Sequence, residues 1–105
     1  MTKDELVYNL IKNIPRGRVL TYGLIAQALK ISNPRQVGMI LHKNPNPDNY
    51  PCHRVVRSDG KLASGYAFGG ISVQMKKLIS EGIEIKNNKV DLDKYLWNGI
   101  TPTNQ

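Results

Sequence analysis

The chain has 105 residues, 40% of them hydrophobic and 22% charged, which is enough apolar material for one modest core; a second core would need roughly another hundred residues. Lys and Arg outnumber Asp and Glu by 15 to 8, and the formal charge of +7 points to a polyanionic partner, nucleic acid first. No run approaches the roughly 20 apolar residues of a membrane span, and Cys52 with two histidines supplies neither a disulfide framework nor a complete Cys/His zinc site, so no membrane, metal or cofactor is expected.

The N-terminus, MTKDELVYNL, lacks a signal-peptide core, and a cytoplasmic protein, nucleoid-associated in a prokaryote, is expected. Thr2 and Glu5 form a capping box, after which Leu6, Val7, Leu10, Ile11 and Ile14 recur at helical spacing up to Pro15. Val19 and Leu20 are extended in character, and Thr21 caps a short second helix carrying Leu24, Ile25, Ala28 and Leu29. Ser32 or Asn33 caps a third, with Pro34 in its first turn, running through Val37, Ile40 and Leu41 to about Lys43. Helix, four-residue turn and helix outline a helix-turn-helix.

Next comes NPNPDNYP, residues 44–51, whose three prolines block regular structure and make a stiff loop delivering Cys52. Arg54 to Val56 reads as a short extended piece, and residues 64–70 as a loop with three glycines. A fourth helix is expected from about Ser72 to Glu81, with Ile71, Met75, Leu78 and Ile79 on one face and Gly82 as its stop. Ile83 and Ile85, a turn at Asn87-Asn88, and Val90 and Leu92 read as a hairpin, before Tyr95, Leu96 and Trp97 cover the core. The expected fold is mainly α: a winged-helix-like helix-turn-helix domain with a small C-terminal β-hairpin, one domain over 1–105 with 101–105 as a tail.

Chemistry concentrates at Cys52, His53 and Glu81. A thiol with an ordinary pKa near 8.5 is mostly protonated at neutral pH, and a nucleophilic cysteine needs a base with an acid behind it. Cys, His and Glu supply those roles. An isolated cysteine is more often a small buried hydrophobe, but one set between a Pro-rich and a Gly-rich loop stands where binding sites form. Adjacent side chains of an extended segment diverge, so either a turn or a bridging water would have to join Cys52 to His53.

These residues resemble the active-site domain of the O6-alkylguanine-DNA alkyltransferases. Pro51-Cys52-His53-Arg54-Val55 matches the family's PCHRV motif, preceded by Lys43-Asn44-Pro45; agreement extends to IPRGRVLTYGLIA at 14–26, to Arg35-Gln36-Val37-Gly38 and to Ser80-Glu81-Gly82, over roughly residues 4 to 97. The resemblance implies a DNA repair methyltransferase consumed in one turnover, which flips O6-methylguanine or another O6-alkylguanine out of the duplex and transfers the alkyl group to Cys52. His53 would be the base acting through water, Glu81 its support, and Tyr22 a donor to the leaving purine and a neighbour of phosphate. Arg35 would fill the gap left by the flipped nucleotide; Gln36, Val37, Gly38 and Arg54 would contact DNA; Asn44 would hold the loop. Val55, Tyr66, Ala67, Phe68 and Gly69 would line the substrate pocket. The partner implied is double-stranded DNA, bound by a monomer through the minor groove.

Two departures stand out. The loop Gly65-Tyr66-Ala67-Phe68-Gly69-Gly70 holds one residue more than the commoner GYxGG form, so Phe68 either lines the pocket or wedges it shut. The ending Val90-Asp91-Leu92 to Tyr95-Leu96-Trp97 resembles the non-enzymatic alkyltransferase-like proteins, which bind such lesions and recruit other repair proteins but carry tryptophan where this chain has Cys52.

Overall fold

The computed structural model describes residues 1–63 and 68–99. Helix α1 spans Lys3–Lys12 behind the capping box at Thr2, two residues shorter than the periodicity predicts; Asn13 caps it and the chain turns into Pro15, with Ile14 buried outside the helix. Strand β1 (Leu20–Thr21) leads directly into α2 (Tyr22–Leu29), because the Thr21 hydroxyl accepts from the Leu24 amide. A left-handed residue, Lys30, ends α2, and the Asn33 side chain caps α3 (Pro34–His42) by accepting from the Arg35 amide. Helices α2 and α3 with the turn between them are the expected helix-turn-helix, laid across α1.

Val7, Ile11, Ile25, Val37, Ile40 and Leu41 interlock these three helices. Each large side chain buried there contributes about 1.5–3 kcal/mol, which is what holds helices this short. Cys52 and Val55 belong to the same cluster, so the segment carrying Cys52 is anchored in the helical core and not draped over it.

The segment after the proline loop departs from expectation. Cys52–Arg54 is a 3₁₀ turn, and only Val55–Val56 is extended, forming β2. β2 pairs in parallel with β1, Leu20 opposite Val55 and Thr21 opposite Val56. Strands of two residues so far apart in the chain leave no local pattern, so the pairing was not readable beforehand.

Helix α4 spans Gly70–Ser80 behind Gly69, whose φ of +120° and a would-be Cβ only 2.4 Å from Val73 Cγ2 admit glycine alone. Its buried face carries Gln74 and Leu78, while Ile79, expected inside, is 54% exposed. Strands β3 (Ile85–Lys86) and β4 (Lys89–Val90) make the expected hairpin, with Asn87 and Asn88 at φ +54° and +59° in its tight turn. Leu92, expected to continue β4, instead opens the short helix α5 (Leu92–Tyr95), because Asp91 caps the Asp93 amide. Tyr95 is buried, and Trp97 packs on the core with its amide donating to the Val19 carbonyl at 2.9 Å. Among the described residues no helix is long and apolar enough to cross a membrane, and no three His, Cys, Asp or Glu side chains are grouped to hold a metal.

Candidate active site and nucleic-acid interface

Cys52 is 4% exposed and opens the 3₁₀ turn behind Pro51. In such a turn successive side chains diverge by about 120°, against the near-opposite directions of a strand, and Cys52 and His53 need no strand-like separation. The loop before it is tied down by Asn44, itself buried: its Nδ2 donates to the Tyr50 carbonyl at 2.8 Å and its Oδ1 accepts from the Asn46 amide at 2.9 Å. Tyr50 stacks on Tyr8, with ring centroids 5.2 Å apart, and Tyr8 donates to the Ile40 carbonyl, fastening the loop to α1 and α3.

His53, Glu81 and Arg54 form a closed chain. His53 Nε2 lies 2.8 Å from Glu81 Oε2; Arg54 donates from Nε to Glu81 Oε1 at 2.9 Å and from Nη2 to Oε2 at 2.8 Å, while its Nη1 reaches the Ile14 carbonyl at 2.8 Å. Burial alone would raise the Glu81 pKa, but hydrogen bonds from Arg54 and His53 outweigh it and hold the carboxyl below its usual range. An ionised carboxylate can only accept, so His53 Nε2 carries the hydrogen and Nδ1 keeps the lone pair. Burial lowers the imidazole pKa more strongly than Glu81 raises it, so His53 rests neutral and able to take a proton.

Burial likewise pushes the Cys52 thiol up, opposed by a hydrogen bond with the Asn44 side chain and by the charge of Lys77. At rest the site therefore holds thiol, neutral imidazole, carboxylate and guanidinium.

An open groove of about 910 Å³ lies between α3 and the turn after β2. Tyr22, Arg35, Gly38, Met39 and His42 line one side, and Arg57, Ser58 and Ala63 the other. Burial, with Cys52 close by, raises the Tyr22 pKa to about 12, so its phenol remains a donor. Gly38 leaves room beside it: a Cβ there would stand 3.9 Å from the Tyr22 ring.

The residues singled out from the sequence divide accordingly. His53 and Glu81 meet, with Cys52 the residue before His53 on the same 3₁₀ turn, and Tyr22, Arg35 and Gly38 share the groove. Arg54, expected on DNA, is spent on Glu81 and Ile14. Val37, also expected at the DNA face, is fully buried in the core, and Gln36 is held by Lys3 Nζ at 2.9 Å. Val55, expected in the pocket, is fully buried; Phe68 packs against the Cys52 cluster, and Gly69 is exposed. Tyr66 and Ala67, like the 101–105 tail, lie outside the described residues. Of the other basic residues, Arg16 donates to the Ser80 carbonyl, Arg18 to the Lys94 carbonyl, Lys43 pairs with Asp4, and Arg57, in the groove, pairs with Asp59 of the same wall at 3.6 Å.

Sequence reasoning missed Met39, 64% exposed in the groove, and Gln74, completely buried. Gln74 sits three residues after Ile71 and four before Leu78; a polar residue at a core-facing helical position was the available signal.

A helix-turn-helix flanked by a short wing, with an open groove along its second helix and a buried cysteine in its core, defines a winged-helix-like DNA-binding domain. The chain belongs to the 6-O-methylguanine DNA methyltransferase family, whose DNA-binding domain matches residues 3–83. It is 52% identical over 78 residues to the methylated-DNA–protein-cysteine methyltransferase of Pyrobaculum aerophilum, covering 74% of this chain and 49% of that protein. It is 41% identical over 95 residues to the bifunctional methyltransferase/endonuclease of Picrophilus torridus, covering 90% of this chain and 31% of that one. The chain thus spans about half or less of these curated relatives. Among solved structures, S. pombe Atl1 in complex with damaged DNA containing O6-carboxymethylguanine superposes with a TM-score of 0.78 at 36% identity, covering 92% of this chain and 98% of that one.

Proposed function

We propose that this domain binds duplex DNA at an O6-alkylguanine, draws the base into the groove in front of Tyr22, and transfers its alkyl group irreversibly to Cys52. The observation that carries the reading is a buried cysteine followed on one 3₁₀ turn by a histidine whose Nε2 is fixed on Glu81, itself forked by Arg54. The DNA would be met through its minor groove by α3, by one copy of the chain, with Arg35 exposed on the helix to fill the vacated stack.

His53 Nδ1 takes the thiol proton through a bridging water. The sulfur lone pair attacks the alkyl carbon, a C–S bond forms as the C–O6 bond breaks, and the bonding electrons pass into the guanine ring. Tyr22, protonated throughout, donates a hydrogen bond to the ring as that charge develops. The imidazolium proton passes to the departing guanine, so the sum is thiol plus alkylguanine giving thioether plus guanine, with no cofactor required. Glu81 stabilises the imidazolium in between, and Arg54 keeps Glu81 ionised and oriented.

The test is to incubate the protein with a duplex holding one O6-methylguanine and weigh the intact protein. A gain of one methyl, absent in Cys52→Ala, is expected; tight lesion binding with no mass change refutes transfer. That outcome is the second reading, a lesion sensor that recruits other repair proteins. It is favoured by the fit to nearly the whole length of S. pombe Atl1 and by the Tyr95 to Trp97 ending.

A further inference from the structure

Gln74 is completely buried on α4, in a position where its helical neighbours Ile71 and Leu78 are apolar. Its amide uses all its principal hydrogen-bonding capacity on backbone. Nε2 donates to the carbonyls of His53 and Val55, both at 3.1 Å, and Oε1 accepts from the Ala63 amide at 2.9 Å. Those three partners do not belong to one element. His53 and Val55 bracket Arg54 at the exit of the 3₁₀ turn, where the backbone has left one hydrogen-bonding pattern and joined β2 for only two residues. Ala63 lies in the far wall of the groove.

A methionine or leucine would fill the same volume and gain burial, and its cost would fall on three backbone groups left without partners. The amide thus ties the junction of a one-turn 3₁₀ helix and a two-residue strand to the far wall of the groove, and it does so from α4.

We infer that Gln74 is a positioning residue for alkyl transfer, a single side chain that sets the spacing between the Cys52–His53 segment and the groove wall against which the purine must lie. The inference rests on the proposed transfer reaction and adds the device that fixes its geometry. One side chain bonded to both the acceptor segment and the opposite wall makes their separation independent of the loop between them. In-line attack on a small alkyl carbon tolerates little error in that separation, and a displacement of about 1 Å can cost on the order of 100-fold in rate.

The experiment compares wild type, Gln74→Met and Gln74→Glu, each checked for folding by circular dichroism well below its melting temperature. Met removes all three hydrogen bonds at similar volume, whereas Glu keeps the acceptor for Ala63 but has at most one O–H to offer the two carbonyls that the amide serves. Single-turnover transfer from an O6-methylguanine duplex and equilibrium affinity for the same duplex are measured separately. The expected result is a transfer rate lowered on the order of 10- to 100-fold in both variants, with affinity within about threefold of wild type, since the groove side chains are untouched. A residue serving stability alone would lower the melting temperature and leave the rate of the folded variant unchanged; that result overturns the inference, as does failure of both variants to fold. Failure of the wild type itself to transfer refutes the underlying reading and is distinguished by the control lane.

Discussion

Replacing Glu81 by Gln probes the point on which the reaction depends. Glu81 accepts three hydrogen bonds, two from Arg54 and one from His53, and its side chain is 5% exposed against 16% for Arg54. The amide keeps one acceptor oxygen and turns an NH₂ toward a second donor, so one charge-assisted bond is lost, a repulsive contact replaces it, and the guanidinium remains without a counter-charge. Removing one partner of a largely buried pair costs about 3–5 kcal/mol. Arg54 keeps its bond to the Ile14 carbonyl, which favours the lower end, about 3 kcal/mol. At roughly 4–8 °C per kcal/mol for a domain of this size, the melting temperature should fall by about 12–24 °C. Transfer should slow by more than the instability explains: without the carboxylate neither the tautomer nor the imidazolium of His53 is supported, and base catalysis worth on the order of 100-fold or more is forfeited. The assay is rapid-quench transfer from an O6-methylguanine duplex at a temperature where Glu81→Gln is fully folded, beside a melting curve. A Glu81→Gln protein that melts early yet transfers at the wild-type rate would refute the chain of roles from Glu81 through His53 to Cys52.

Other expectations follow from the same geometry. Tyr22→Phe should slow transfer about tenfold with duplex affinity nearly kept, because the hydroxyl is needed as charge develops on the purine; a fluorescence titration alongside the rate separates the two. Arg35→Ala should weaken repair in duplex DNA while sparing reaction with the isolated alkylated base, and equal loss in both would remove its role in extrusion. Gly69→Ala should lower stability by at least about 1–3 kcal/mol in denaturant titration, since the left-handed backbone and the clash with Val73 add. Acid should destabilise the fold through two groups of the same sign. The folded pKa of His53 is depressed, so its share of stability is complete above the unfolded value near 6.5 and declines as pH falls through it. That of Glu81 is also depressed, so its share is present above the unfolded value near 4.3 and is lost as pH falls toward the folded one. A melting temperature flat from pH 7 to about pH 5 would contradict the first, and one that stays flat as the pH falls from about 4.3 further into acid would contradict the second.

What could be read from the chain beforehand was whatever has a local signature. The capping box at Thr2, the turn between α2 and α3, and the Asn87-Asn88 hairpin each announce themselves within a few residues, and each is present. Cys52, His53 and Glu81 were legible as a set of residue types, the motif resemblance supplied their roles, and the fold joins His53 to Glu81. The β1–β2 pairing was not, since two-residue strands carry no periodicity. Arg54 shows why charge alone misleads: a basic residue beside the reactive cysteine reads as a phosphate contact, yet a buried carboxylate claims it, and only the fold brings Glu81 there. Val37 fails for a related reason, because a short recognition helix must turn one face inward and the motif does not say which. Gln74 was overlooked because apolar neighbours were used to define the face on which it sits.

The most direct measurement counts methyl groups. Protein is mixed with excess duplex bearing labelled O6-methylguanine, and the label is quantified per molecule and located by peptide mass spectrometry. One equivalent on the peptide bearing Cys52, with no further turnover, is predicted; label that stays on the DNA while the protein sits bound to it would contradict the account.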